Sequence, residues 1–210
     1  MANTTKVSEV SICNQALSWL GQPAITSLDQ KSTAAELCKL NYPHLRDALT
    51  EARMWTFATV REESSSKIQS GQQGFFEHNI PEAWLAVYRV YRSTISNRQV
   101  QANWIREGTK VLVDETDVEL WGLLRIEDPA RFSLLFVQAL AARIAADLCN
   151  ALTQNRQLQI DLWGIYEAKL SEAAVRDGQQ GRAEEVGSSR LLEARGGFSG
   201  GLIGVEGIGG

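Results

Sequence analysis

The chain has 210 residues, 44% of them hydrophobic, with a formal net charge of −4 and a pI near 5.3. That composition supports one substantial core, or a core with a small accessory domain, and excludes the strongly basic face that grips phosphate backbones. Three widely spaced cysteines, Cys13, Cys38 and Cys149, lack CxxC spacing and read as small core residues rather than a disulfide framework.

Residues 1–9 are polar and carry no secretory pattern, and no run is read as a membrane span, so the expectation is a soluble chain made in the cytoplasm. Ser8 is the expected N-cap of a first helix. Val10, Cys13, Leu17 and Leu20 form its stripe beside Ala16, Gly21 closes it at C′, and Pro23 forbids continuation. A second helical pattern begins near Lys31 and sets Ala34, Leu37, Cys38, Asn41, Leu45, Ala48, Leu49 and Ala52 on one side. Pro43 predicts a kink or short break over 40–43. Trp55, Phe57 and Ala58 are expected to end this helix as an aromatic anchor. Over 64–74 the chain is rich in Ser, Gln and Gly without a period, which predicts a surface loop.

The pattern then changes to short β-type runs at 85–91, 100–106, 110–113 and 118–126, with Gly108 as the permissive residue of a hairpin. Asp128 and Pro129 predict the N-cap and first position of a third helix. In it Phe132, Phe136, Leu140, Ile144 and Leu148 recur every four residues, flanked by alanines, so it is expected to be the central buried helix. A fourth helix from about Asn155 turns Leu158, Leu162, Ile165 and Leu170 inward and ends near Asp177 and Gly178. The expected fold class is therefore mainly α. About four helices over 1–63 and 128–178 form a bundle, with a loop and small antiparallel sheet inserted at 64–127 and an extended C-terminal arm at 179–210.

Eight of the fifteen residues 196–210 are glycine, and glycine loses the most backbone freedom on ordering. Phe198, Leu202, Ile203, Val205 and Ile208 are large apolar side chains that a plain solubilising linker would not carry. The arm is therefore expected to dock into a partner, with Arg190 and Arg195 joining those five as contact candidates.

His44 and His78 are expected at the surface or in caps rather than as general bases. The chain contains no HExxH, CxxC, GxSxG, Walker loop or GxGxxG after a strand, so no catalytic, cofactor-binding or metal-ligating residue is assigned. Asp114, Glu115, Asp117, Glu119, Glu127 and Asp128 supply the carboxylates that a glycan hydrolase would need, although a solvated turn and a helix cap account for them more simply. Of six tryptophans, Trp104 and Trp121 are the candidates for subunit or partner contact, because a small sheet covers only one of its faces.

Several segments occur in a characteristic order. Asn14-Gln15-Ala16-Leu17-Ser18-Trp19-Leu20-Gly21, Ile25-Thr26-Ser27-Leu28, Ala34-Ala35, Tyr42, Arg46-Asp47 and Trp55-Thr56-Phe57-Ala58 come first. Ile80-Pro81, Arg125-Ile126-Glu127-Asp128-Pro129, Phe132 and Phe136, the alanine-rich run 139–145, Tyr166, Ala173, Asp177, Ser188-Ser189 and Ala194-Arg195 follow. This set, spanning about residues 8–195, resembles podovirus tubular tail protein A, the head-to-tail adaptor family. The resemblance implies a virion protein: a ring, usually of twelve copies, beneath the portal of a short-tailed phage and joined below to the tail nozzle. DNA would pass through its centre without specific binding, and no catalysis, cofactor or membrane is implied. The arm would then engage the portal, and Trp104 and Trp121 would face neighbours or the nozzle. The glycine-rich tail and the loop 69–74 depart from the family pattern. A glycan hydrolase and a cytoplasmic helical scaffold unrelated to phage are the alternatives.

Overall fold

The computed structural model describes residues 7–93 and 100–180. Ser8 opens α1 (Glu9–Trp19) with a capping box: its hydroxyl accepts from the Ser11 N–H at 3.1 Å, and Ser11 Oγ accepts from the Ser8 N–H at 2.8 Å. Gly21 leaves the helix at φ 65°, the left-handed geometry that glycine takes without strain. The Asn14 amide then exchanges two bonds with the Ile25 backbone, at 2.9 and 2.8 Å, which pins the following loop to α1 and buries Ile25.

α2 (Thr33–Glu51), capped by Ser32, runs unbroken through Pro43. The expected break is absent because the proline ring removes only the bond to the Lys39 carbonyl. Both residues are exposed, so the Lys39 carbonyl is not a buried, unpaired group. The helix also ends sooner than expected, and Trp55, Phe57 and Ala58 lie beyond it in a turn whose Ala58 and Thr59 N–H groups donate to the Trp55 carbonyl. The Trp55 indole is fully buried and donates to the Leu49 carbonyl at 2.9 Å.

Asp128 and Pro129 start a separate 3-10 turn, Pro129–Arg131, and Ser133 caps the long α3 (Leu134–Thr153). By length and composition α3 could cross a membrane; 61% of its apolar window is buried inside the protein, which accounts for that character. α3 packs against α1, α2 and α4 (Arg156–Gln180). α4 turns Leu162, Tyr166, Ala173, Ala174 and Asp177 inward. Ile165, expected inward, is 41% exposed, because it stands about 100° around the helix from the buried Tyr166.

The fold class differs from the expected mainly α bundle with a small β insertion. The described residues are 46% helical and 23% strand. β1 (Thr59–Ser65), β2 (Phe76–Asn79), β3 (Trp84–Arg92), β4 (Trp104–Glu107), β5 (Lys110–Val113) and β6 (Asp117–Leu124) build two antiparallel sheets, in the orders β1-β6-β3 and β2-β5-β4. The two sheets enclose their own core of Trp84, Val87, Val90, Val111, Val113, Val118 and Leu120. The sequence hides this unit because β1 and β2 read Thr-Val-Arg-Glu-Glu-Ser-Ser and Phe-Glu-His-Asn, with no apolar alternation. Pairing with β6 and β5, not intrinsic pattern, makes them strands.

β6 alternates between two environments: Val118 and Leu120 enter the core between the sheets, and Leu123 enters the helical core. At Gly122 an added Cβ would lie 2.3 Å from a Trp84 ring carbon and 2.4 Å from the Ala86 carbonyl oxygen. The indole thus lies directly on the β6 backbone, at the point where β3 shifts register.

Candidate interaction surface

The first sheet is only partly covered. Antiparallel register sets Arg61 of β1 and Arg89 of β3 level with Trp121, and sets Glu63 and Tyr91 level with Glu119. These residues lie on the face opposite the core between the sheets. Farther along that face Leu123 is buried in the helical core, whereas at the other end Trp121 is half-buried and Arg61 and Arg89 beside it are exposed. The Arg61 guanidinium sits 3.8 Å from the Trp121 ring centroid, and Tyr91 meets the same indole edge-on at 5.1 Å. Cation and ring attract by about 0.5–1 kcal/mol at such exposed sites. Trp121 Nε1 is itself covered and has no acceptor, so an approaching surface would meet the ring and the guanidinium groups rather than the N–H.

Trp104, the other tryptophan expected at a contact, is level with Val113 on β4 and packs half-buried against the core between the sheets. The two candidates therefore lie on different faces. A second open patch escaped the sequence reading. On the outer face of the second sheet Leu112 lies level with Glu77 and Ile105, and Ile68 joins this row through its carbonyl, which accepts from the Glu77 N–H at 2.8 Å. Ile68 is 63% exposed and Ile105 47%. The signal available was the two-residue alternation around Ile105, with Trp104 inward and Ile105 outward.

The arm candidates Arg190, Arg195, Phe198, Leu202, Ile203, Val205 and Ile208 lie outside the described residues. The end of α4, where the arm begins, borders an open groove lined by Ser133, Leu134, Leu135, Arg176, Gln179 and Gln180, in which Leu134 is well exposed.

The acidic residues of the sheet region are engaged locally. Asp114 accepts from the Asn103 N–H at 3.2 Å and from its Nδ2 at 2.9 Å, and pairs with Arg92 at 3.3 Å. Glu115 pairs with Arg92 at 3.2 Å. Hydrogen bonds from the Ser65 and Thr116 hydroxyls hold the Asp117 carboxyl below the usual carboxylate range. Asp128 caps its 3-10 turn.

His44 is exposed on α2. His78, expected at the surface or in a cap, is buried within a strand, because the alternation of β2 turns it inward beside Val111. Its Nε2 donates to the Glu115 carbonyl at 3.0 Å, since a carbonyl only accepts, and its Nδ1 faces Ser64 Oγ at 2.9 Å. All three cysteines are buried free thiols. The neighbouring Cys38 thiol on α2, together with burial, pushes the Cys13 thiol on α1 up. Among the described residues no cluster of three or more His, Cys, Asp or Glu side chains is placed to hold a metal.

The helical half is tied by polar contacts between distant segments. Asp47 joins Arg46, at 2.8 Å, to Arg125, at 2.9 Å. Buried Asp177 at the end of α4 accepts from the Thr56 N–H and, at 2.7 Å, from its hydroxyl. Trp55 and Phe57 meet Phe136 with ring centroids 5.1 and 4.9 Å apart, and Phe132 closes on Phe136 at 5.0 Å. Compared with known proteins, the chain matches no family model and has no significant match among curated sequences.

Proposed function

We propose that this chain is a structural head-to-tail adaptor of a short-tailed phage, forming a ring between portal and tail nozzle around the path of the DNA. The observation that supports this reading is that the residues carrying the resemblance meet in space. Asn14 holds Ile25, Asp47 links Arg46 to Arg125, Asp177 holds Thr56, and Trp55, Phe57, Phe132 and Phe136 form one aromatic cluster. Motifs far apart in the chain thus pack on one another within one fold. In this reading the arm 179–210 leaves α4 to engage the portal, and the Trp121 face meets a neighbouring copy or the nozzle. The mild acidity of the chain suits a conduit along which DNA slides without being held. The protein resides in the virion after synthesis in the host cytoplasm and catalyses no reaction.

Electron microscopy of the full chain mixed with its portal tests the reading. A ring of this protein seated on the portal is the expected result, and failure to assemble there overturns the adaptor role. A chain lacking residues 196–210 is expected to keep its circular dichroism spectrum and lose portal binding. Unchanged affinity would remove that segment from the interface.

A further inference from the structure

α4 has a second face. Opposite its buried stripe, Ile160, Gly164, Ala168, Ser171 and Val175 recur at three- and four-residue steps, all exposed. Ile160 is 56% and Val175 59% exposed, and Gly164 has open space where a Cβ would stand. A surface helix ordinarily reserves this side for long charged residues. Here Asp161, Glu167, Glu172 and Arg176 stand at its flanks instead. Beside Val175 lies a shallow hollow bounded by Ala174, Val175, Gly178 and Gln179.

We propose that this face mates with the same face of a second copy of the chain, the two α4 helices running antiparallel. Shape is the first argument for this occupant. When Gly164 is level with Val175 of the second copy, Ala168 meets Ser171, and Ile160 reaches the hollow beside Gly178. The two-fold axis repeats each contact, and the small residues let the helix axes approach closely. Charge is the second argument. Asp161 and Arg176 lie on one flank near opposite ends of the face, roughly 22 Å apart at 1.5 Å per residue. Antiparallel pairing therefore brings each Asp161 to the Arg176 of the other copy, twice per dimer. Parallel pairing would instead set this flank beside the opposite flank of the copy, bringing Glu172 toward the acidic Glu167 and giving Arg176 no acidic partner. Within one chain Asp161 accepts from the Gln157 amide at 3.0 Å and Arg176 donates to Gln179 at 3.3 Å, neutral partners that a charged one would displace.

The contact goes beyond the adaptor reading. A ring closes through unlike faces, whereas this contact joins like to like, so it is a separate assembly of the same chain. Sedimentation velocity on the full chain is expected to show a dimer. Asp161→Arg or Arg176→Asp alone is expected to weaken it about tenfold, and the double exchange to restore it. Gly164→Cys chains mixed with Val175→Cys chains are expected to cross-link on mild oxidation more readily than either variant alone, the native thiols being buried. A chain that stays monomeric up to about 1 mM, where even weak association registers, overturns the proposal. So does a dimer indifferent to both charge reversals, or preferential linking of Gly164→Cys to itself. Portal binding by the same variants reports on the adaptor role independently.

Discussion

A methyl group at position 122 has nowhere to go. The Trp84 ring and the Ala86 carbonyl occupy its place, and backbone cannot move aside as the tip of a flexible side chain would. Gly122→Ala is expected to cost about 1–3 kcal/mol, read as a lower urea midpoint at unchanged slope. Nothing near Gly122 in the sequence announces this, since its requirement comes from a tryptophan nearly forty residues away in the chain. Gly108 was legible because its need is local: a tight hairpin with φ at 59°. His78 was misjudged for the same reason as Gly122. Its polar neighbours suggest a surface site, while its partners Ser64 on β1 and Glu115 in the β5–β6 turn lie elsewhere in the chain.

Elements were legible where the pattern is carried by their own side chains. The capping serine and stripe of α1 and the four-residue phenylalanine and leucine repeat of α3 specify their helices without reference to the rest of the chain. β1 and β2 are strands only by virtue of their neighbours, so the division of the strands into two sheets and the fold class went unread. Two element-level contacts are open to test. Asp177→Ala removes the acceptor for two Thr56 donors and is expected to lower unfolding free energy by about 1–3 kcal/mol in urea titrations, with Asp177→Asn retaining part of it. At the end of β1, the Ser65 hydroxyl and then that of Thr116 depress the folded pKa of Asp117. Its contribution is therefore complete above the ordinary carboxylate value of about 3.9 and fades as pH falls through the folded value. Denaturation at stepped pH is expected to show the wild type losing, on acidification, an increment that Asp117→Asn never had.

At the scale of the molecule, the sequence singled out Trp121 and Trp104 alike, and only assembly of the layers separates them. Trp121 lies half-buried on the face of the first sheet turned away from the inner core, while Trp104, equally half-buried, packs against that core. Such placement depends on how the layers stack, which no local pattern encodes. Because β6 feeds Leu120 to one core and Leu123 to the other, neither half can come apart without baring apolar surface that belongs to both. Heating should consequently produce one cooperative melting event: loss of helical ellipticity and the shift in tryptophan emission are expected to coincide in temperature, and two separate steps would mean that the strand uncouples the halves it joins.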